Sequence, residues 1–91
     1  MKTSRSIVVV LKYDDLITLE IHSVGAFIGL IKGISQYDAD AAILATYIVN
    51  DGELTRVRPE LESCGTGVTS VTFRWNDGYE ETRYYTRDIS A

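Results

Sequence analysis

Ser23-Val24-Gly25-Ala26-Phe27-Ile28-Gly29-Leu30-Ile31-Lys32-Gly33-Ile34-Ser35 is the stretch that decides the fold, because it is the clearest helical pattern in a chain otherwise rich in strand formers. At about 100° per residue, Val24, Phe27, Ile28, Ile31 and Ile34 line up as one apolar stripe, widened by Ala26 and Leu30. Ser23 supplies the N-cap, its hydroxyl accepting from an amide left unpaired in the first turn. The stripe needs a sheet to cover it. Gly25, Gly29 and Gly33 fall on the opposite side. A helical glycine costs about 1 kcal/mol relative to alanine, so this side predicts close helix packing, by another part of the chain or by a partner, in preference to a weak helix held by its stripe with Gly33 near its C-terminal end. The spacing is that of a membrane helix contact, but the apolar run is far below the ~20 residues a span requires and Lys32 interrupts it.

Outward from the helix, the strands come in pairs. Ile7–Leu11 and Leu16–His22 flank Asp14-Asp15. A two-residue turn there would pair Val10 with Leu19 and put Val8, Val10, Ile17, Leu19 and Ile21 on the face that receives the helix. After the helix, Leu44–Asn50 reads as strand, while the alanines at 39, 41, 42 and 45 fit either a helical turn or strand and, if helical, are natural partners for the glycines. Asn50-Asp51-Gly52 is a hairpin signal, since type I′ turns need positive φ. The strand returns as Glu53–Arg58, Pro59 ends it, and residues 59–67 read as a loop. Val68–Trp75 and Tyr79–Thr86 form a last hairpin around Asp77-Gly78, which would set Arg74 opposite Glu81. The expectation is a single α+β domain over residues 1–91: an antiparallel sheet of about six strands in three hairpins, with one main helix, about residues 23–34, between the first and second.

Composition bounds the function. Ninety-one residues with 45% hydrophobic content suit one folded core. A net charge of −4 disfavours nucleic acid and anionic membrane as partners. Cys64 is the single cysteine, which excludes an internal disulfide and fits a reducing, cytoplasmic setting. Ile7–Leu11 is too short for the apolar core of a signal peptide.

Two surfaces stand out. In a meander the tight turns would gather at one end, making an acidic rim of Asp14, Asp15, Asp51, Glu53, Asp77 and Glu80 that would meet a protein partner with a basic surface. Taken singly, each aspartate is also ordinary turn chemistry. The last hairpin offers an Arg/Tyr face of Arg74, Arg83, Tyr84 and Tyr85, residue types favoured at interface hot spots and able to stack on bases.

The chemistry argues against catalysis. His22 is the single histidine, Cys64 has no activating partner in its sequence neighbourhood, and no nucleophile, phosphate-loop or paired-histidine motif occurs. No cofactor or metal is implied, since the acidic residues lack calcium-loop spacing. The reading is a small acidic, non-catalytic protein-binding module, an inhibitor or adaptor; a viral protein blocking a basic nucleic-acid-handling partner is one version by analogy. The alternatives are a self-assembling homodimer built on the glycine-lined helix or a strand edge, and a single-strand or nucleotide-binding domain using the Arg/Tyr hairpin.

Overall fold

The structure is a computed structural model and describes residues 4–37 and 42–86. Strands β1 (Arg5–Tyr13) and β2 (Asp15–Ile21) are followed by helix α1 (Val24–Tyr37), then β3 (Ala42–Asn50), β4 (Glu53–Val57), β5 (Glu60–Ser63), β6 (Val68–Arg74) and β7 (Glu80–Thr86). The class is α+β as expected, but the strands form two antiparallel sheets, β2-β1-β3-β4 and β5-β6-β7. Residues 59–67 are a strand and a turn, which corrects their reading as a loop. Pro59 interrupts the chain after β4, and the four-residue β5 then pairs Leu61 with Val71. Gly65, Thr66 and Gly67 all have positive φ, and together they turn the chain into β6.

The first sheet is not a meander. β3 pairs antiparallel with β1, so β2 and β3 run the same way with β1 between them. The helix makes this possible: 14 residues rise ~21 Å, about the length of a seven-residue strand, so α1 carries the chain back along the sheet before β3 begins. Its start is as expected. Ser23 Oγ accepts from the Ala26 amide at 3.0 Å. The helix runs to Tyr37, three residues beyond the expected end, so Gly33 lies within it.

One core joins the first sheet to the helix and the second sheet. Ile7, Val9 and Leu11 of β1 and Ile48 of β3 meet Val24, Phe27 and Ile28 of the helix and Val71, Phe73 and Trp75 from the second sheet and its turn. Phe27 and Phe73 stack edge to face with centroids 5.0 Å apart. The helix stripe is buried as expected, with Leu30, Ile31 and Ile34 at its margin, but Ala26, expected to widen it, is exposed. The strand face that receives it differs. β1 pairs Val9, not Val10, with Leu19, because Asp14 turns the chain in the left-handed region (φ 60°) and Tyr13 pairs directly with Asp15. A one-residue slip exchanges the faces of β1, so Ile7, Val9 and Leu11 point inward and Val8 and Val10 outward.

The last hairpin slips in the same way. Trp75 and Tyr79 close a three-residue loop, Trp75 N donating to Tyr79 O at 2.8 Å, and Arg74 therefore faces Glu80 rather than Glu81. The middle hairpin follows its signal, with Asp51 (φ 48°) and Gly52 (φ 87°) between Asn50 and Glu53.

The glycine side of α1 does not show the expected close packing. A β-carbon at Gly29 or Gly33 would meet nothing within 4 Å, and one at Gly25 only Ser23 Oγ at 3.8 Å. Of the alanines proposed to cover it, Ala42 and Ala45 belong to β3, and residues 39 and 41 lie outside the described residues.

Gly29→Ala is expected to stabilise the protein by about 1 kcal/mol in urea denaturation, since helix propensity is gained without a clash. Phe73→Ala, which empties the contact between helix and second sheet, is expected to cost about 3–5 kcal/mol in the same measurement.

Candidate interaction surfaces

The β1–β3 pairing divides the acidic rim. Asp14 and Asp15 lie where β1 meets β2, whereas Asp51 and Glu53 lie at the opposite end, where Arg5 of β1 pairs with Asn50. Asp77 joins that second end through Arg5. The six residues do not form one surface, because the helix returns the chain along the sheet between the first and second turns.

At the Asp51 end the carboxylates hold the molecule together. Asp51 Oδ1 accepts from the Ser4 amide at 2.8 Å, and its own amide donates to Ser4 O at 2.9 Å. Arg5 Nη2 and Nε donate to Asp77 Oδ2 at 2.6 and 3.0 Å, and the guanidinium lies 4.1 Å from the centre of the Tyr79 ring. Trp75 Nε1 donates to Ser6 O at 3.1 Å, and Asn76 Nδ2 to Thr55 Oγ1 at 2.7 Å. These bonds clasp the β6–β7 turn onto the first sheet. The Arg5 hydrogen bond, helped by the Tyr79 amide, holds the Asp77 carboxyl below the usual aspartate range against a smaller opposing effect of desolvation.

The Arg/Tyr face divides too. Tyr84 and Tyr85 are successive strand residues and point to opposite sides. Arg74 shares the outer side of the second sheet with Tyr84, which is 66% exposed. Arg83 projects from the side of Val71, and Tyr85 packs at the margin of the core. Arg74 is bracketed by Glu60, at 2.9 Å, and Glu80. The Glu80 hydrogen bond, followed by the charge of Glu60, raises its pKa above the ordinary arginine value. Arg83 Nε contacts Glu81 Oε2 at 3.2 Å. Both arginines have carboxylate neighbours, so the second sheet does not present a continuous basic track.

A different surface emerges on the first sheet. Core contacts come from one face of it; the other carries Val8 and Val10 of β1, Tyr47 and Val49 of β3, Leu16 of β2 and Leu54 of β4. None of these six packs against the core cluster. Leu16 is 69% exposed and Leu54 54%, and Val8, Val10 and Tyr47 are partly exposed. Val49 and Ser6 on this face are buried, although neither belongs to the core cluster. The chain measures 48 × 34 × 17 Å. At ~10 Å between packed layers, the thin dimension accommodates two layers and no third, so this face lies open among the described residues. Its signal in the sequence is the unbroken apolar run Ile7–Leu11, which gives β1 apolar residues on both sides.

His22 and Cys64 are both exposed, with Cys64 Sγ 3.7 Å from Glu62 O. Among the described residues no group of three or more His, Cys, Asp or Glu is placed to hold a metal ion, and no helix is long and apolar enough to cross a membrane. Comparison of the chain with protein-family models, with curated proteins and with solved structures returns no match.

The Asp77 clasp has a definite pH signature. Its folded-state pKa lies below the unfolded one, so its contribution to stability is present above the ordinary aspartate range and is lost as pH falls through the lowered value. Asp77→Asn is therefore expected to lower the thermal midpoint at neutral pH, and the gap between variant and wild type to close as melts are repeated from about pH 7 towards about pH 2.

Proposed function

We propose that this chain is a non-catalytic protein-binding module whose docking platform is the open face of its four-stranded sheet. The observation that carries this reading is that face itself: an antiparallel sheet with apolar side chains on both sides, only one of which packs against the core among the described residues. Antiparallel sheets that stand with one side in water ordinarily carry polar residues there. Here Val8, Val10 and Tyr47 occupy the centre, Leu16 and Leu54 extend the patch to opposite corners, and the charged residues Lys12, Glu20 and Arg56 border it. An apolar centre with a polar rim is the anatomy of a protein interface.

The reading does not depend on acidic complementarity to a basic partner. The aspartates divide between two ends, and Asp51 and Asp77 are engaged within the chain. Charge contributes at the border instead, where both signs are present.

Val8→Thr combined with Val10→Thr tests the platform, because threonine keeps β-branched shape and strand propensity while making the centre polar. Affinity capture from a lysate of the native host, quantified by mass spectrometry, is expected to lose the specific partners of the wild type when the double variant is used as bait. A thermal melt of the variant checks that the fold persists. An unchanged capture profile would remove this face as the docking site.

A further inference from the structure

Resting on the docking role proposed above, we infer that the occupant of the open face is a second copy of this chain, held face to face about a two-fold axis that runs parallel to the strands. The inference comes from the register. One row across the sheet reads Glu20, Val8, Tyr47, Arg56 in the order β2, β1, β3, β4. Directly paired residues share a face, so all four side chains of this row belong to the open side. Glu20 and Arg56 sit on the two outer strands, at equal distance from the middle of the row, and Val8 and Tyr47 lie between them.

A two-fold axis parallel to the strands and midway between two such faces exchanges left and right while preserving height along the strand. It sets Glu20 opposite Arg56 of the partner subunit, and Arg56 opposite Glu20 of the partner subunit, so one row makes two ion pairs. The same operation sets Val8 against Tyr47 of the partner subunit, a small side chain facing a large one. In one neighbouring row Val10 meets Ala45; in the other, Ser6 and Val49 are already buried and exposed Leu54 lies at the border. The face is thus complementary to itself, which an isologous interface requires. Aligned packing of two sheets ~10 Å apart is an established arrangement, and side chains as long as Glu and Arg span that gap at the border.

The size of the face sets the strength. One row of four strands and two of three, at ~4.8 Å between strands and ~6.7 Å between rows, cover roughly 300 Å², well under half of what each partner contributes to a standard stable interface. The dimer is therefore reversible and depends on concentration. Glu20 already accepts a hydrogen bond from Ser6 Oγ at 3.1 Å, which holds its carboxylate at the border of the face.

Sedimentation velocity over about 10 µM to about 1 mM, the range for an interface below standard size, reads the equilibrium. The wild type is expected to move from the mass of the 10.2 kDa chain towards twice that value. Glu20→Arg alone and Arg56→Glu alone each oppose like charges twice, and each is expected to weaken association about tenfold or more. An equimolar mixture of the two variants is expected to restore it, because a heterodimer regains both ion pairs. A wild type that stays monomeric throughout, single variants that associate like the wild type, or a mixture no better than its components would each overturn the inference. Should Glu20→Arg not fold, Arg56→Glu at an exposed position combined with the wild-type salt dependence tests the same contacts: no loss in the variant and no weakening at high salt would refute the ion pairs. Loss of heterologous capture by Val8→Thr/Val10→Thr alongside a monomeric wild type would leave the docking face standing and reject only its self-pairing; unchanged capture would reject the face itself.

Discussion

The pairing of β3 with the free edge of β1 is the constraint on which the rest depends. Because β3 must run antiparallel to β1, the chain has to return along the sheet after β2, and an amphipathic helix of matching length does so. That helix brings a single apolar stripe, which covers one side of the sheet together with the β6 residues and Trp75. The other side receives nothing from it. Strand order, helix placement and the bare sheet face all follow from the β1–β3 seam.

The second sheet is attached through side chains rather than through strand pairing. Pro59 lacks the amide that would continue a ladder from β4, and the chain begins a new edge at Glu60. What then holds the second sheet in place is the Phe27–Phe73 contact with the helix in the middle and the Arg5–Asp77 and Trp75–Ser6 bonds to the first sheet at one end. In the sequence, Asp51 and Asp77 look like candidates for partner binding. Their geometry makes them turn residues that also tie down the first strand, which is the ordinary use of a side chain able to accept from nearby amides.

Helix, cap and hairpins are legible in the sequence because each is written locally. Ser23 three residues before the amide it accepts from, the Val24/Phe27/Ile28/Ile31/Ile34 stripe and Asp51-Gly52 all act within a few residues of themselves. Register is not legible. Ile7–Leu11 is apolar at every position, so both alternations of β1 look equally suited to a core, and only the closure at Asp14 selects between them. The same single-residue ambiguity at Asn76-Asp77-Gly78 moves the partner of Arg74 by one position. β5 escapes a sequence reading because its four residues, Glu60-Leu61-Glu62-Ser63, carry neither β-branched nor aromatic side chains. The division of both expected surfaces follows from strand order and register, which depend on contacts between distant residues. The open sheet face is signalled by the same apolar run that obscures the register.

The edge strands of the two sheets bear on how large any assembly can become. β2 carries Asp15 and Glu20, β5 carries Glu60 and Glu62, and β7 carries Glu80 and Glu81, so each of these borders holds carboxylates. Charged borders resist the addition of further strands, the route by which a flat β protein grows into a fibre. Lateral growth is opposed at these three borders, and the fourth, β4, carries Glu53 and Arg56, so any association of this chain would be favoured in the direction perpendicular to the sheet. In the dimer inferred above, one layer stacked on that side would use it up and show its helix and second sheet to solvent, so the pile would stop at a finite size.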